Sequence, residues 1–222
     1  MNDLSQQKKA VLGLRIVYPL WAAIGMFNLL YIPSKLIDKS NPALTAENII
    51  NNEMLFRMGI AGSLFTQLIS LVAVWFLYRL FYNSFKEAVG MTAIFNFLGM
   101  PITMLSISNK MAVLDMLDSP DQVIALLNQE TYGTVVATIF WGLWLLPQAY
   151  MVMKSPLFPK IMGWFLILAG AAYTLSAFLY FLGFKGSVVM EVLDLMTMGE
   201  VIWMLWVLIM GARWKKLESA AM

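Results

Sequence analysis

Cysteine and histidine are both absent from the 222 residues. That excludes a disulfide framework, a thiolate nucleophile and Cys-ligated zinc. It also excludes haem held by His or Cys, Ser-His-Asp and Cys-His catalysis, and any histidine proton relay. Charge is scarce too, at 13% of residues against 60% hydrophobic, where an ordinary soluble domain carries roughly 25% charged residues. A soluble chain of this size needs a polar surface to cover its core. Too few charges are present to make one, so lipid is the expected solvent. The formal net charge of +2 gives no reason to invoke nucleic acid as a partner.

What is abundant is the long apolar run. Crossing a hydrocarbon core of roughly 30 Å takes about 20 apolar residues. Six segments qualify: Val11–Ile32, Met54–Phe81, Ala88–Ser108, Gly133–Met153, Ile161–Gly183 and Val192–Ala212. The expected fold is all-α, a single polytopic bundle of six transmembrane helices over residues 1–222. A membrane β-barrel would instead show alternating segments of about ten residues. The polar start MNDLSQQKKA lacks the shape of a cleavable signal peptide, so the first helix reads as retained.

The connections alternate in charge. The N-terminus, the 2–3 and 4–5 loops and the C-terminus hold Lys8, Lys9, Arg15, Arg79, Lys86, Lys154, Lys160, Arg213, Lys215 and Lys216. The other side holds Lys35, Lys39, Arg57, Lys110 and Lys185, with the acids Asp38, Glu47, Glu53, Asp115, Asp118, Asp121 and Glu130. By the positive-inside rule the first set is cytoplasmic. Both termini are therefore expected in the cytoplasm, and the chain in the bacterial inner membrane.

Local signals refine this outline. Ser119-Pro120-Asp121-Gln122 reads as a helix start followed by an apolar stripe at Val123, Leu126 and Leu127. Asn41-Pro42 reads as the start of a second short helix. Both are expected to lie on the outer membrane surface or to cap the bundle. Pro19, Pro101 and Pro147 fall inside spans and each frees a backbone carbonyl. Gly163 and Gly170, with Ala169 and Ala171, give the fifth span a small-residue face for close packing. Trp164 and Trp214 suit an inner aromatic belt. No internal repeat is visible, which weakens a transporter built on repeat symmetry.

A rise of 1.5 Å per residue converts position into depth. Counted from the basic residue at each cytoplasmic end, Glu200 and Asn28 lie roughly 20 Å deep, Gln67 roughly 18 Å and Asn96 roughly 15 Å. Four polar side chains on four helices thus share one slab, and Arg57 lies above it. These five are the candidate ligand-binding residues. Glu200 is the only acid well inside a span, a costly placement that marks a functional candidate. Thr197, Glu200 and Trp203 share its helical face. Two readings stand for Glu200 and Arg57: a polar site, or an ion pair locking two helices. Arg57 has a further partner available in Glu53 at i−4. Asn28, Gln67 and Asn96 read equally as interhelical hydrogen bonds. No residue is assigned as catalytic. Asp115, Asp118 and Asp121 lack the glycine and terminal Glu of a calcium loop and read as a solvated face. No metal or other cofactor is expected.

Several stretches carry a resemblance: LFRMGI at 55–60, WFLYRLF at 75–81, FWGLWLLPQAYMVMKSPLFPKIMGWFLILAGAAY at 140–173 and GEVIWMLWVLIMG at 199–211. In this order the chain resembles the bacterial membrane family known as domain of unknown function 4386. The resemblance matches Arg57 and Glu200, and the inner loop pattern of Lys154, Ser155, Leu157, Pro159 and Lys160. It implies an arginine in many members where this chain has Asn96. It implies no activity. The expected function is a structural or accessory membrane subunit that binds lipid, a partner membrane protein or a second copy. The alternatives are a carrier or receptor with an outward-facing site around Glu200 and Arg57, and a membrane enzyme using Glu200 as general acid or base. One carboxylate is thin equipment for the last.

Overall fold

The structure, a computed structural model, describes residues 3–214. Lys215 and Lys216, which the sequence reading assigns to the cytoplasmic side, lie outside the described residues. In chain order the elements are α1 (Asp3–Met26), a π-helical turn (Phe27–Tyr31), α2 (Ile32–Leu36), α3 (Pro42–Asn51), α4 (Glu53–Phe81), α5 (Lys86–Ala112), a 3₁₀ turn (Val113–Asp115), α6 (Pro120–Lys154), α7 (Lys160–Phe181) and α8 (Val188–Met210). The described residues are thus all-α.

Six stretches are long and apolar enough to cross a membrane: Leu4–Leu36, Glu53–Phe81, Lys86–Asp115, Pro120–Lys154, Lys160–Phe181 and Val188–Met210. The shortest, α7, has 22 residues and is about 33 Å long. Large apolar side chains such as Ile16, Trp75, Leu105, Leu175 and Ile209 stand exposed along these helices, as a lipid solvent permits. This is the signature of a multi-pass membrane protein.

Two boundaries differ from the sequence expectation. The first helical stretch runs on past Ile32 through Pro33 to Leu36. Pro33 has no N–H to offer the carbonyl of Leu29, and the π turn lies immediately before it, where Ile32 N–H bonds to Phe27 O in i→i+5 fashion. The short helix predicted at Pro120 and the span predicted from Gly133 are one helix of 35 residues. The polar run Asn128–Thr131 between them is helical because its side chains find partners, as described below. Pro19, Pro101 and Pro147 lie inside α1, α5 and α6 as predicted.

The chain forms two compact units. One is Met1–Pro19, Ser70–Gly99 and Thr138–Met222; the other is Leu20–Ile69 and Met100–Ala137. In the first unit, glycines bring helices together. A Cβ at Gly142 would collide with the Gly170 carbonyl oxygen and Thr174, and one at Gly199 with the Phe165 carbonyl oxygen. The small-residue face predicted on α7 is therefore a packing face. Arg15 closes the end of α8 by donating from Nε to Leu208 O at 2.9 Å, a cation on otherwise unpaired helix carbonyls. The segment between α6 and α7 folds inward. Phe158 is buried, with its ring 5.0 Å from that of Trp203, 5.8 Å from Trp206 and 5.9 Å from Phe81.

In the second unit, Ile32, Leu36, Ile49, Phe56, Ile107, Val123 and Leu127 make one core. Ile49 lies on α3 and Val123 and Leu127 on the first turns of α6. Both amphipathic segments therefore cap this core. Asn41 starts α3 by accepting at Oδ1 from Leu44 N–H, 3.1 Å.

Candidate functional site

Glu200 and Asn96 belong to the first unit; Arg57, Asn28 and Gln67 belong to the second. Each has local surroundings of its own.

Glu200 sits midway along α8, partly buried. Its hydrogen-bonding partner is the hydroxyl of Tyr173 on α7, which also reaches the side chain of Thr197, one turn from Glu200 on α8. Thr197 in turn donates its hydroxyl to Asp194 O at 2.6 Å. Tyr18 of α1 lies within reach of the Glu200 charge and is buried. Its hydroxyl accepts from Trp203 Nε1 at 3.4 Å. The Trp141 ring meets Tyr173 edge to face at 6.5 Å. Three helices thus deliver a carboxyl group, two phenols, a hydroxyl and an indole N–H into one cluster, and Phe158 backs it through Trp203. The spacing of Thr197, Glu200 and Trp203 on one face is as the sequence predicts. The two tyrosines are not legible there, because tyrosine counts towards an apolar run and its partner is remote in sequence.

Arg57 is exposed and salt-bridged to Glu53, Nε to Oε1 2.7 Å, across one helical turn. This is the i−4 partner visible in the sequence. Asn28 lies in the π turn, 3% exposed. Neither its Oδ1 nor its Nδ2 has a hydrogen-bond partner. The amide is pressed against Gly62 of α4, where an added Cβ would fall 2.7 Å from Oδ1. Gln67 donates from Nε2 to Thr66 Oγ1 at 3.4 Å. Asn96 keeps Oδ1 buried without a partner.

One polar pair escaped the sequence reading. Lys110 of α5 and Glu130 of α6 form a salt bridge at 3.8 Å, with side chains 7% and 20% exposed. Nearby on α6, Lys39 Nζ donates to Asn128 Oδ1 and Thr131 Oγ1, each at 3.4 Å. Lys110 and Glu130 read from sequence as loop charges because each stands just beyond an apolar run. The signal that would find them is the helical continuation of α6 upstream of Gly133.

Chemically, the Glu200 cluster can hold a hydrogen-bonded carboxyl group among aromatic rings. It contains no nucleophile paired with a base. Among the described residues, no group of three or more acidic side chains is placed to hold a metal ion. Two surface hollows are lined by Leu4, Ser5, Lys8, Lys9 and Leu12, and by Met26, Phe27, Leu29, Leu30, Tyr31 and Ser34. Neither Glu200 and its cluster partners nor Arg57, Asn28, Gln67 and Asn96 line either hollow.

Among curated proteins and among solved structures nothing matches the chain. One family model does, over residues 16–211. That range takes in Arg57, the 154–160 segment and Glu200, the positions on which the resemblance rests. The chain belongs to the family described as Domain of unknown function (DUF4386).

Proposed function

We propose that this protein is a non-catalytic accessory subunit of the bacterial inner membrane, with both termini in the cytoplasm, that binds lipid or a partner subunit within the bilayer. The carrying observation is the local closure of its intramembrane acid. Glu200 is engaged by Tyr173, and Tyr18, bonded to Trp203, stands within range of its charge in the same unit, while Arg57 is engaged by Glu53. A carboxyl group tied to a phenol on the next helix works as a helix clasp. The basic residues of the N-terminus and the 2–3 and 4–5 loops support the orientation.

The test is Glu200→Gln in the full chain, purified in mild detergent. A clasp predicts a loss of about 1 kcal/mol of stability, with copurifying lipid and protein retained. An unchanged melting temperature together with loss of stabilisation by an added small molecule would favour a receptor or carrier instead.

The second reading, a polar ligand site, has one observation in its favour. The Asn28 amide is buried with both of its polar atoms unpartnered, and buried polar groups in native proteins are generally paired.

A further inference from the structure

The pair Lys110 and Glu130 stands apart from the Glu200 cluster. Lys110 is in the last turn of α5, and its ammonium lies 3.8 Å from Glu130 Oε1. A well-made charged hydrogen bond is about 1 Å shorter. The ammonium carries three donors, and Glu130 is its one partner among the described residues. Such loose pairing of a buried charge is costly. One turn away the same two helices are in close contact: a Cβ at Gly133 would collide with the Ser106 hydroxyl. The seam is therefore tight at Ser106 and Gly133 and slack at Lys110 and Glu130. The partial exposure of Glu130 opens the slack end outward. Lys39, on Asn128 and Thr131, adds a second ammonium group to the same turn of α6.

Depth points the same way. The apolar runs end at Ser108 and resume at Gly133. Lys110 and Glu130 therefore stand within about 5 Å of the hydrocarbon edge, where lipid headgroups lie.

We propose that Lys110 and Glu130 bind a zwitterionic phosphoethanolamine headgroup. A phosphate oxygen accepts from the Lys110 ammonium, and the headgroup ammonium donates to the Glu130 carboxylate. The slack pair exchanges one long contact for two short ones. A phosphoglycerol headgroup has no ammonium for Glu130, and the quaternary ammonium of phosphocholine has no N–H to donate. This assignment deepens the lipid-binding reading above and rests on it.

The test uses the full chain in mild detergent, with native mass spectrometry and melting curves. The probes are phosphoethanolamine, phosphocholine and phosphoglycerol lipids of matched acyl chains, and soluble phosphoethanolamine. The expected result is that the phosphoethanolamine lipid binds about tenfold more tightly than the other two, and that Glu130→Gln abolishes the preference. Removing one partner of a buried pair can unfold the chain, whereas apolar replacement of both is tolerated. The double variant Lys110→Met/Glu130→Leu should therefore stay folded and bind all three lipids equally. If soluble phosphoethanolamine also stabilises the wild type but not the double variant, the headgroup suffices; if only the lipid does so, the acyl chains are needed. Either outcome supports the site. Equal binding of the three lipids by the wild type, or a preference that survives in the double variant, overturns it. If the site is overturned while another lipid or a partner subunit still copurifies, the accessory-subunit reading stands. If nothing copurifies, that reading falls too.

Discussion

Asn28 carries two hydrogen-bonding atoms into the interior of its unit and pairs neither. Each unsatisfied buried group costs about 1–3 kcal/mol, and alanine removes both polar atoms without adding bulk. Asn28→Ala is accordingly expected to raise the melting temperature of the detergent-solubilised protein. A lowered one would mean that the amide is engaged by something in solution, as the ligand-site reading requires. The neighbouring Gly62 leaves room for that amide and for nothing more. Gly62→Ala is expected to cost about 1–3 kcal/mol through overpacking, and Gly62→Ala combined with Asn28→Ala to recover part of it. Glu200 and Tyr173 form the other residue-scale test. If they act as one clasp, the stability losses of Glu200→Gln and Tyr173→Phe are non-additive by about 0.5–3 kcal/mol in a double-mutant cycle. Additive losses would mean that the two side chains work apart.

At the scale of the element, the π turn has a cause that can be removed. Pro33 withholds an N–H from the preceding turn, and Phe27–Tyr31 widens to i→i+5 bonding before it. Pro33→Ala restores the donor. The expected outcome is an ordinary α-helix across Phe27–Leu36, read as new amide-exchange protection at position 33 and as a changed environment for Asn28. Persistence of the π turn would place its cause in packing rather than in proline. The helices show what sequence can and cannot disclose. The ends of α4 and α7 follow their apolar runs to within a residue or two of Met54–Phe81 and Ile161–Gly183, because lipid-facing length is a local property. The start of α6 does not. Asn128, Glu130 and Thr131 look like a break until Lys39, in the turn before α3, and Lys110, on α5, satisfy them. Of the candidate site, the i−4 partnership of Arg57 and Glu53 was legible because it lies within one helix turn. The tyrosines around Glu200 were not, since Tyr18 is remote from it in sequence and each is indistinguishable from a packing residue in an apolar run.

For the whole molecule, the six helices among the described residues long and apolar enough to cross a membrane and an asymmetric distribution of lysine and arginine underlie the proposed orientation. The absence of cysteine makes that orientation directly measurable, since any cysteine introduced is the sole thiol in the chain. Ser84, Ser40, Asp118 and Lys185 are exposed positions in four connections, and Lys154 is exposed at the end of α6 beside the fifth. Each is replaced singly by cysteine and treated in intact cells with a membrane-impermeant maleimide. Six crossings with a cytoplasmic N-terminus predict labelling of Ser40→Cys, Asp118→Cys and Lys185→Cys. They predict protection of Ser84→Cys and Lys154→Cys until the membrane is opened. The reverse pattern would invert the protein, and labelling on both sides of any one helix in intact cells would contradict six crossings.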